Sequence, residues 1–335
     1  MSSSSPPFAS LTHRGQVHRL RTLALNALQQ YPLELRRVRL LQHAYNTIFR
    51  VDTVDGQKYV IRINLPTARS LAQIQSEMAW LAALGRDTAL KIPVPLANRA
   101  GDLVTTATAP EVPDPRHCAV FSWVPGKDLV HDMRPENFRQ VGVLTAQLHT
   151  HAESFVPPPG FYLRKMDNVF PFDHGNFLEQ DSDPSGLITP ERRALFETVA
   201  ARVEGVLATL YAYPIPPLVL HADLHAYNIR VHRGGLAALD FDDCSIGYPV
   251  QDIAITYYYV QSHPEYLALK DAYQAGYESL RPWPVTSPDP IPTLIAWREL
   301  DLLNYLLFSD NPENQEYFPK FLERAERRLR KYLES

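Results

Sequence analysis

At 335 residues, with 45% hydrophobic and 21% charged residues, the chain is too long for one small core and suits two lobes of ordinary domain size. The formal net charge of −4 argues against a dedicated nucleic-acid binder, which would carry a basic stripe. Cys118 and Cys244 stand far apart without metal-binding spacing. No apolar run of about 18 residues is uninterrupted, and Met1–Pro7 lacks a signal-peptide layout, so a reduced, cytoplasmic, membrane-free protein is expected.

Residues 1–10 read as a disordered leader. Leu11–Tyr31 has apolar residues at helical spacing (Leu20, Leu23, Leu28) and stops at Tyr31-Pro32. Leu35–Gln42, Tyr45–Val54 and Lys58–Leu65 alternate like strands, with Asp55-Gly56 as a hairpin signal between the last two. Ser70–Leu84 returns to helical period. Ile92–Ala97, Leu103–Thr108 and His117–Val124 read as further strands, and Pro125-Gly126-Lys127 as the crossing to a second lobe.

Beyond that crossing, Pro135–His151 and Pro190–Tyr211 read as long amphipathic helices around a loop-rich insert, Phe155–Gly186. Short strands follow at Leu218–Leu220, Ile229–His232 and Leu236–Phe241, with Gly234-Gly235 as a tight turn. From Val250 onward the pattern is helical, with breaks near Arg281–Pro292 and Asp310–Pro312. The expected organisation is α+β: a β-rich N-lobe with one helix over residues 11–124, then a helical C-lobe over 125–335 bearing a catalytic hairpin.

The chemistry concentrates in Leu218–Asp252. Asp223 is followed five positions later by Asn228, and the hairpin returns Asp240, with Asp242 and Asp243 next to it. Phosphoryl transfer needs a carboxylate to orient the attacking hydroxyl and hard oxygen ligands for Mg²⁺. Asp223 suits the first task. Asn228 and Asp240 suit the second, with Asp242 a further candidate ligand.

His221-Ala222-Asp223 through Asn228, followed by Asp240-Phe241-Asp242, resembles the motifs of the aminoglycoside phosphotransferase/choline kinase family, a branch of the protein-kinase-like fold. Within it, GYPVQD (247–252) and WRELDLLNYL look closest to bacterial stress-response Ser/Thr kinases and type II homoserine-kinase-like proteins. The resemblance implies a bilobal fold and transfer of the ATP γ-phosphate to a hydroxyl of a small molecule, with GTP left open as donor. Asp223 is then the catalytic aspartate and His221 the motif histidine that supports its loop. Asn228 and Asp240 hold Mg²⁺.

The same resemblance sets Arg62 on the phosphate-binding strand, Glu77 as its helix partner, and Phe121, Ser122, Trp123 and Val124 as the adenine hinge. Two departures stand out. Arg62 replaces the usual Lys, and Leu41–Thr47 contains no glycine, so Asn46 or Tyr45 is expected to contact phosphate instead of a glycine-rich cradle.

Other readings stay open at this level. One is a protein Ser/Thr kinase on the same machinery; another is a nucleotide-binding regulatory pseudokinase. A third takes His221, Asp223 and His225 as a metal-hydrolase ligand set. Tyr257–Tyr259 reads as core or as an aromatic cage for a quaternary ammonium. Asp310, Glu313 and Glu316 read as a solvated loop or a docking place for a cationic substrate. A monomer or homodimer is expected.

Overall fold

The computed structural model describes residues 6–66, 68–172, 175–179, 183–284 and 288–335. Two compact units emerge: Met1–Gly126 with Phe155–Leu163, and Lys127–Ser154 with Arg164–Ser335. The expected boundary placed Phe155–Leu163 in the second lobe, but this segment belongs to the first. Ser76 explains part of that: its buried hydroxyl accepts a 2.7 Å hydrogen bond from the Tyr162 N–H.

In the first unit, α1 (His13–Leu28) is capped by Thr12, whose side chain accepts from the Gly15 N–H. Strands β1 (Leu35–His43), β2 (Thr47–Thr53) and β3 (Lys58–Ile63) form an antiparallel meander, followed by α2 (Leu71–Asp87), β4 (Pro95–Leu96), β5 (Thr105–Ala107) and β6 (Arg116–Ser122). The sheet order is β1-β2-β3-β6-β4, with β5 also on β6. Leu20, Leu23, Ala24, Ala27 and Leu28 of α1 bury against Val38, Phe49, Val51, Ile61, Ile63 and Val120 of the sheet. Because side chains alternate along β3, this sends Arg62 to the opposite face. The leader is ordered where described. Phe8–Ser10 forms a 3-10 turn and Phe8 packs on the α1 core, so its apolar ring overrides the polar composition around it.

The second unit holds β7 (Lys127–Asp128), α3 (Pro135–Ser154), α4 (Pro190–Tyr211), β8 (Leu218–Leu220), β9 (Ile229–His232), β10 (Gly235–Ala238) and β11 (Ser245–Gly247). Four helices complete it: α5 (Pro249–Val260), α6 (Tyr266–Glu278), α7 (Ile291–Leu307) and α8 (Pro312–Glu334). The hairpin turn differs from expectation. His232 pairs with Gly235, so Arg233 and Gly234, at φ +49° and +76°, are the turn residues rather than Gly234-Gly235. Two consecutive positive φ values match the strand twist of a tight hairpin. Strands β7 and β11, too short to show a period, were not expected.

Candidate active site

Loop His221–Asn228 runs between β8 and β9. Asp252, in the first turn of α5 and fully buried, anchors its start: Oδ1 accepts from the Ala222 N–H at 2.7 Å and Oδ2 from the His221 N–H at 3.1 Å. His149 of α3 bonds Oδ2 through Nε2 at 3.1 Å, and its Nδ1 meets the Tyr277 hydroxyl of α6 at 2.9 Å. Ala222 sits at φ +63°, a left-handed conformation that a non-glycine residue holds only when its surroundings over-determine it. The paired bonds to Asp252 supply that constraint.

His221 does not face the reacting centre. Its Nδ1 accepts from the Asp223 N–H and its Nε2 donates to the Leu239 carbonyl, so both ring nitrogens serve the backbone. Burial lowers its pKa from the ordinary histidine value, against the pull of Asp252 and Asp223, and favours the neutral ring. A ring committed in this way ligates no metal, which removes the hydrolase ligand set. Among the described residues no group of three His, Cys, Asp or Glu is placed to hold an ion.

Asp223 is the focus of the loop. Its Oδ1 accepts from Arg298 Nη2 at 2.7 Å and from the Tyr259 hydroxyl at 3.1 Å. Its Oδ2 accepts from Asn228 Nδ2 at 2.9 Å and lies 3.2 Å from His225 Nε2. Burial works to raise the Asp223 pKa, but the charge and hydrogen bond of His225, with the Arg298 guanidinium, outweigh it and hold the carboxyl at about 2.

Arg298, on α7, is buried and bonds Asp301 Oδ2 through Nη1 at 2.8 Å. Burial and the nearby Asp223 push Asp301 up to about 6, against the pull of Arg298. The sequence reading missed Arg298, Asp301, Tyr259 as a partner of Asp223, and His149. One signal was present: Arg298, Glu299 and Asp301 interrupt an otherwise apolar helix, with arginine and aspartate at helical i,i+3 spacing.

Asn228 and Asp240 are brought side by side through backbone pairing. Ala238 pairs with Ile229, and the Leu239 N–H donates to the Asn228 carbonyl at 2.8 Å, so Asp240 follows directly, at φ +60°. Asn228 Nδ2 also bonds the Asp223 carbonyl, which directs the amide oxygen away from Asp223. Phe241 is buried on the His221 ring at 4.5 Å, while Asp240 is exposed and Asp242 half-buried on either side. These hard oxygens fit Mg²⁺ completed by phosphate and water.

In the first unit, Arg62 grips Glu77 with both fork nitrogens, at 2.9 and 2.6 Å. Arg69, not foreseen, adds a third bond to Glu77 at 2.8 Å. Two guanidinium groups thus converge on one buried carboxylate. The Arg62 guanidinium lies 5.3 Å from the Phe121 ring, a cation–π contact.

The Ser122 N–H is taken by the Val94 carbonyl and the Trp123 N–H by the Lys58 carbonyl, leaving the Val124 N–H without a partner among the described residues. Asn46 is buried and its side-chain oxygen accepts from the Leu65 N–H, a bond that braces the strand ends. Tyr257 and Tyr258 are buried, whereas Tyr259 is 36% exposed; Asp310, Glu313 and Glu316 are exposed.

The model of the phosphotransferase enzyme family matches residues 37–283. The amicoumacin kinase of Bacillus subtilis (strain 168) is 26% identical over 71% of this chain and 67% of its own. Among solved structures, a microcompartment-associated aminopropanol kinase superposes with a TM-score of 0.79 at 24% identity, covering 94% of this chain and 98% of that one. An amicoumacin kinase solved with AMP-PNP and Ca²⁺ gives 0.75 at 19% identity, over 94% and 96%.

Proposed function

Since this chain belongs to the phosphotransferase enzyme family, we propose that it transfers the γ-phosphoryl group of Mg²⁺-bound ATP to a hydroxyl of a small amine-bearing molecule. The observation that carries the reading is Asp223 itself, held by Asn228, His225 and Arg298 in one orientation.

A carboxyl held at about 2 is ionised throughout the physiological range but is a weak base. Asp223 therefore orients the acceptor hydroxyl and receives its proton late, as the bond to phosphorus forms. This suits the loose transition state of phosphoryl transfer, where positioning and charge neutralisation dominate. Asn228 and Asp240, with Asp242 beside them, would hold Mg²⁺, which neutralises charge on the phosphates. Arg62 and Arg69, fixed on Glu77, would meet the phosphates, and the Val124 backbone the adenine.

The acceptor class is read from the relatives, because the carboxylates near Arg298 (Asp223, Asp301 and Asp243) are answered by Arg298 and, at Asp301, by Arg164 as well. The aminopropanol kinase among the solved structures and the hydroxylysine kinase of Xenopus laevis among the relatives, the latter 26% identical over 56% of its length, support an amine-bearing acceptor. No described helix is long and apolar enough to cross a membrane. Cys118 and Cys244 are both buried and neither is in a disulfide, and we place the protein in a reducing cytoplasm.

Asp223→Asn tests the assignment. Turnover with Mg²⁺-ATP and a panel of amino alcohols should fall by about 10³-fold or more, while AMP-PNP binding by calorimetry stays within a few-fold. Turnover near the wild-type rate would refute it.

A further inference from the structure

An ionised carboxylate offers about four lone-pair sites, and on Asp223 they are filled by Arg298, Tyr259, Asn228 and His225. An acceptor hydroxyl cannot bond Asp223 unless one of these partners leaves. Three are fixed by second bonds. Asn228 also holds the Asp223 carbonyl, Arg298 also holds Asp301, and the His225 ring is tied through Nδ1 to the Tyr227 N–H.

Tyr259 differs in that its second bond runs to another of the four partners, Arg298. Its hydroxyl contacts Asp223 and the same Arg298 nitrogen, both at 3.1 Å, and has no other partner among the described residues. Its side chain reaches solvent and stands in the last turn of α5, where helical restraint is weakest.

What Tyr259 presents is chemically an acceptor. Its hydroxyl donates to the carboxylate oxygen that would orient an alcohol, at hydrogen-bond length. We propose that the Tyr259 hydroxyl is the resident occupant of the acceptor-hydroxyl position: it fills that place until the substrate's hydroxyl displaces it, and thereby denies the place to water. Burial keeps this phenol protonated far above the usual tyrosine range, so it stays a neutral hydroxyl. The ring, 4.2 Å from the His225 ring, covers the same side of the loop.

This inference rests on the kinase reading. With Tyr259 in place, hydrolysis of ATP is suppressed because water lacks its bond to Asp223. Without it, a water oxygen can attack the γ-phosphorus, the bond to the ADP oxygen breaks, and the water's proton leaves by way of Asp223, giving ADP and phosphate.

The test is phosphate release from Mg²⁺-ATP alone, measured for wild type, Tyr259→Phe and Tyr259→Phe/Asp223→Asn. We expect Tyr259→Phe to release phosphate at least fivefold faster than wild type, and the double variant to lose that gain. With 1-amino-2-propanol as probe acceptor, the KM of Tyr259→Phe should fall, because the substrate's hydroxyl no longer has to displace the tyrosine. Unchanged or slower hydrolysis in Tyr259→Phe, with kcat reduced, would mark the tyrosine as a structural brace and overturn the inference. So would a gain that survives in the double variant. Thermal unfolding checks that the variants are folded, and Tyr259→Leu gives the same readout should the phenylalanine variant be unstable. If wild type transfers phosphate to no amino alcohol while the Asp223-dependent gain appears, the acceptor class fails and the Tyr259 assignment stands.

Discussion

Arg298 occupies a position where charge and burial conflict most sharply. Its guanidinium is buried and answers two carboxylates, Asp223 and Asp301. Removing one partner of a buried ion pair costs more than the pair contributes, because the remaining charges stay desolvated. Arg298→Met should therefore lower stability by about 3–5 kcal/mol in urea unfolding. Arg298→Lys, which keeps the charge but loses the fork, should cost less. Asp301 makes a separate prediction. Its folded pKa, about 6, lies above its unfolded value of 3.8, so the folded chain binds more protons between those limits. Its contribution is full below about pH 4 and is lost as pH rises through 6. Asp301→Asn removes that slope, so the variant should gain relative to wild type from pH 4 to 6 and run parallel above. His221, whose pKa is lowered, acts with the opposite sign in both proteins and cancels in the difference.

At the level of elements, the crossing of α3 and α6 supports the catalytic loop from behind. A Cβ at Gly142 would lie 1.9 Å from the Tyr273 carbonyl oxygen, and one at Gly276 1.9 Å from that of Arg139. Both obstacles are backbone, so neither helix can yield by turning a side chain. The crossing matters to chemistry because α3 carries His149 and α6 carries Tyr277, which together orient Asp252 beneath Ala222. Gly142→Ala should separate the helices and cost about 3 kcal/mol, at the upper end for overpacking. It should also lower kcat, as His149 and Tyr277 lose registry with the loop. A thermal melt paired with a turnover assay checks both effects, and a normal melting point would refute the close-packing account.

For the whole molecule, the first unit holds Arg62, Arg69 and Glu77, and the second holds Asp223, Asn228 and Asp240. Ligand that binds only the folded state stabilises it by mass action, by about 2.7 kcal/mol at a hundredfold excess over Kd. Mg²⁺-AMP-PNP should therefore raise the melting temperature, and chelation by EDTA should remove most of the rise. Asp240→Asn should weaken the Mg²⁺-dependent part while leaving the unliganded melt nearly unchanged, since Asp240 is exposed. An equal rise with and without Mg²⁺ would speak against metal-assisted nucleotide binding.

Features encoded by near neighbours were legible from the sequence alone. The resemblance implied Glu77 as the helix partner of Arg62, and the two make a bidentate contact. The place of Asp223 and Asn228 in one loop, with a hairpin returning the chain beside Asn228, was legible because a tight hairpin pairs residues close in sequence. The α+β organisation followed from the order of elements, and the kinase-like architecture from the motif resemblance.

Tertiary structure decided the rest. Arg298 reaches Asp223 across 75 positions and His149 reaches Asp252 across 103, separations over which no periodicity carries information. Arg69 joins Glu77 from the turn before α2, and the Ser122 and Trp123 N–H groups are taken by the Val94 and Lys58 carbonyls. Local pattern thus determined which residues could perform phosphoryl transfer. Which of them are held, shielded or already occupied depends on burial and on partners distant in sequence, and only the packed chain brings those together.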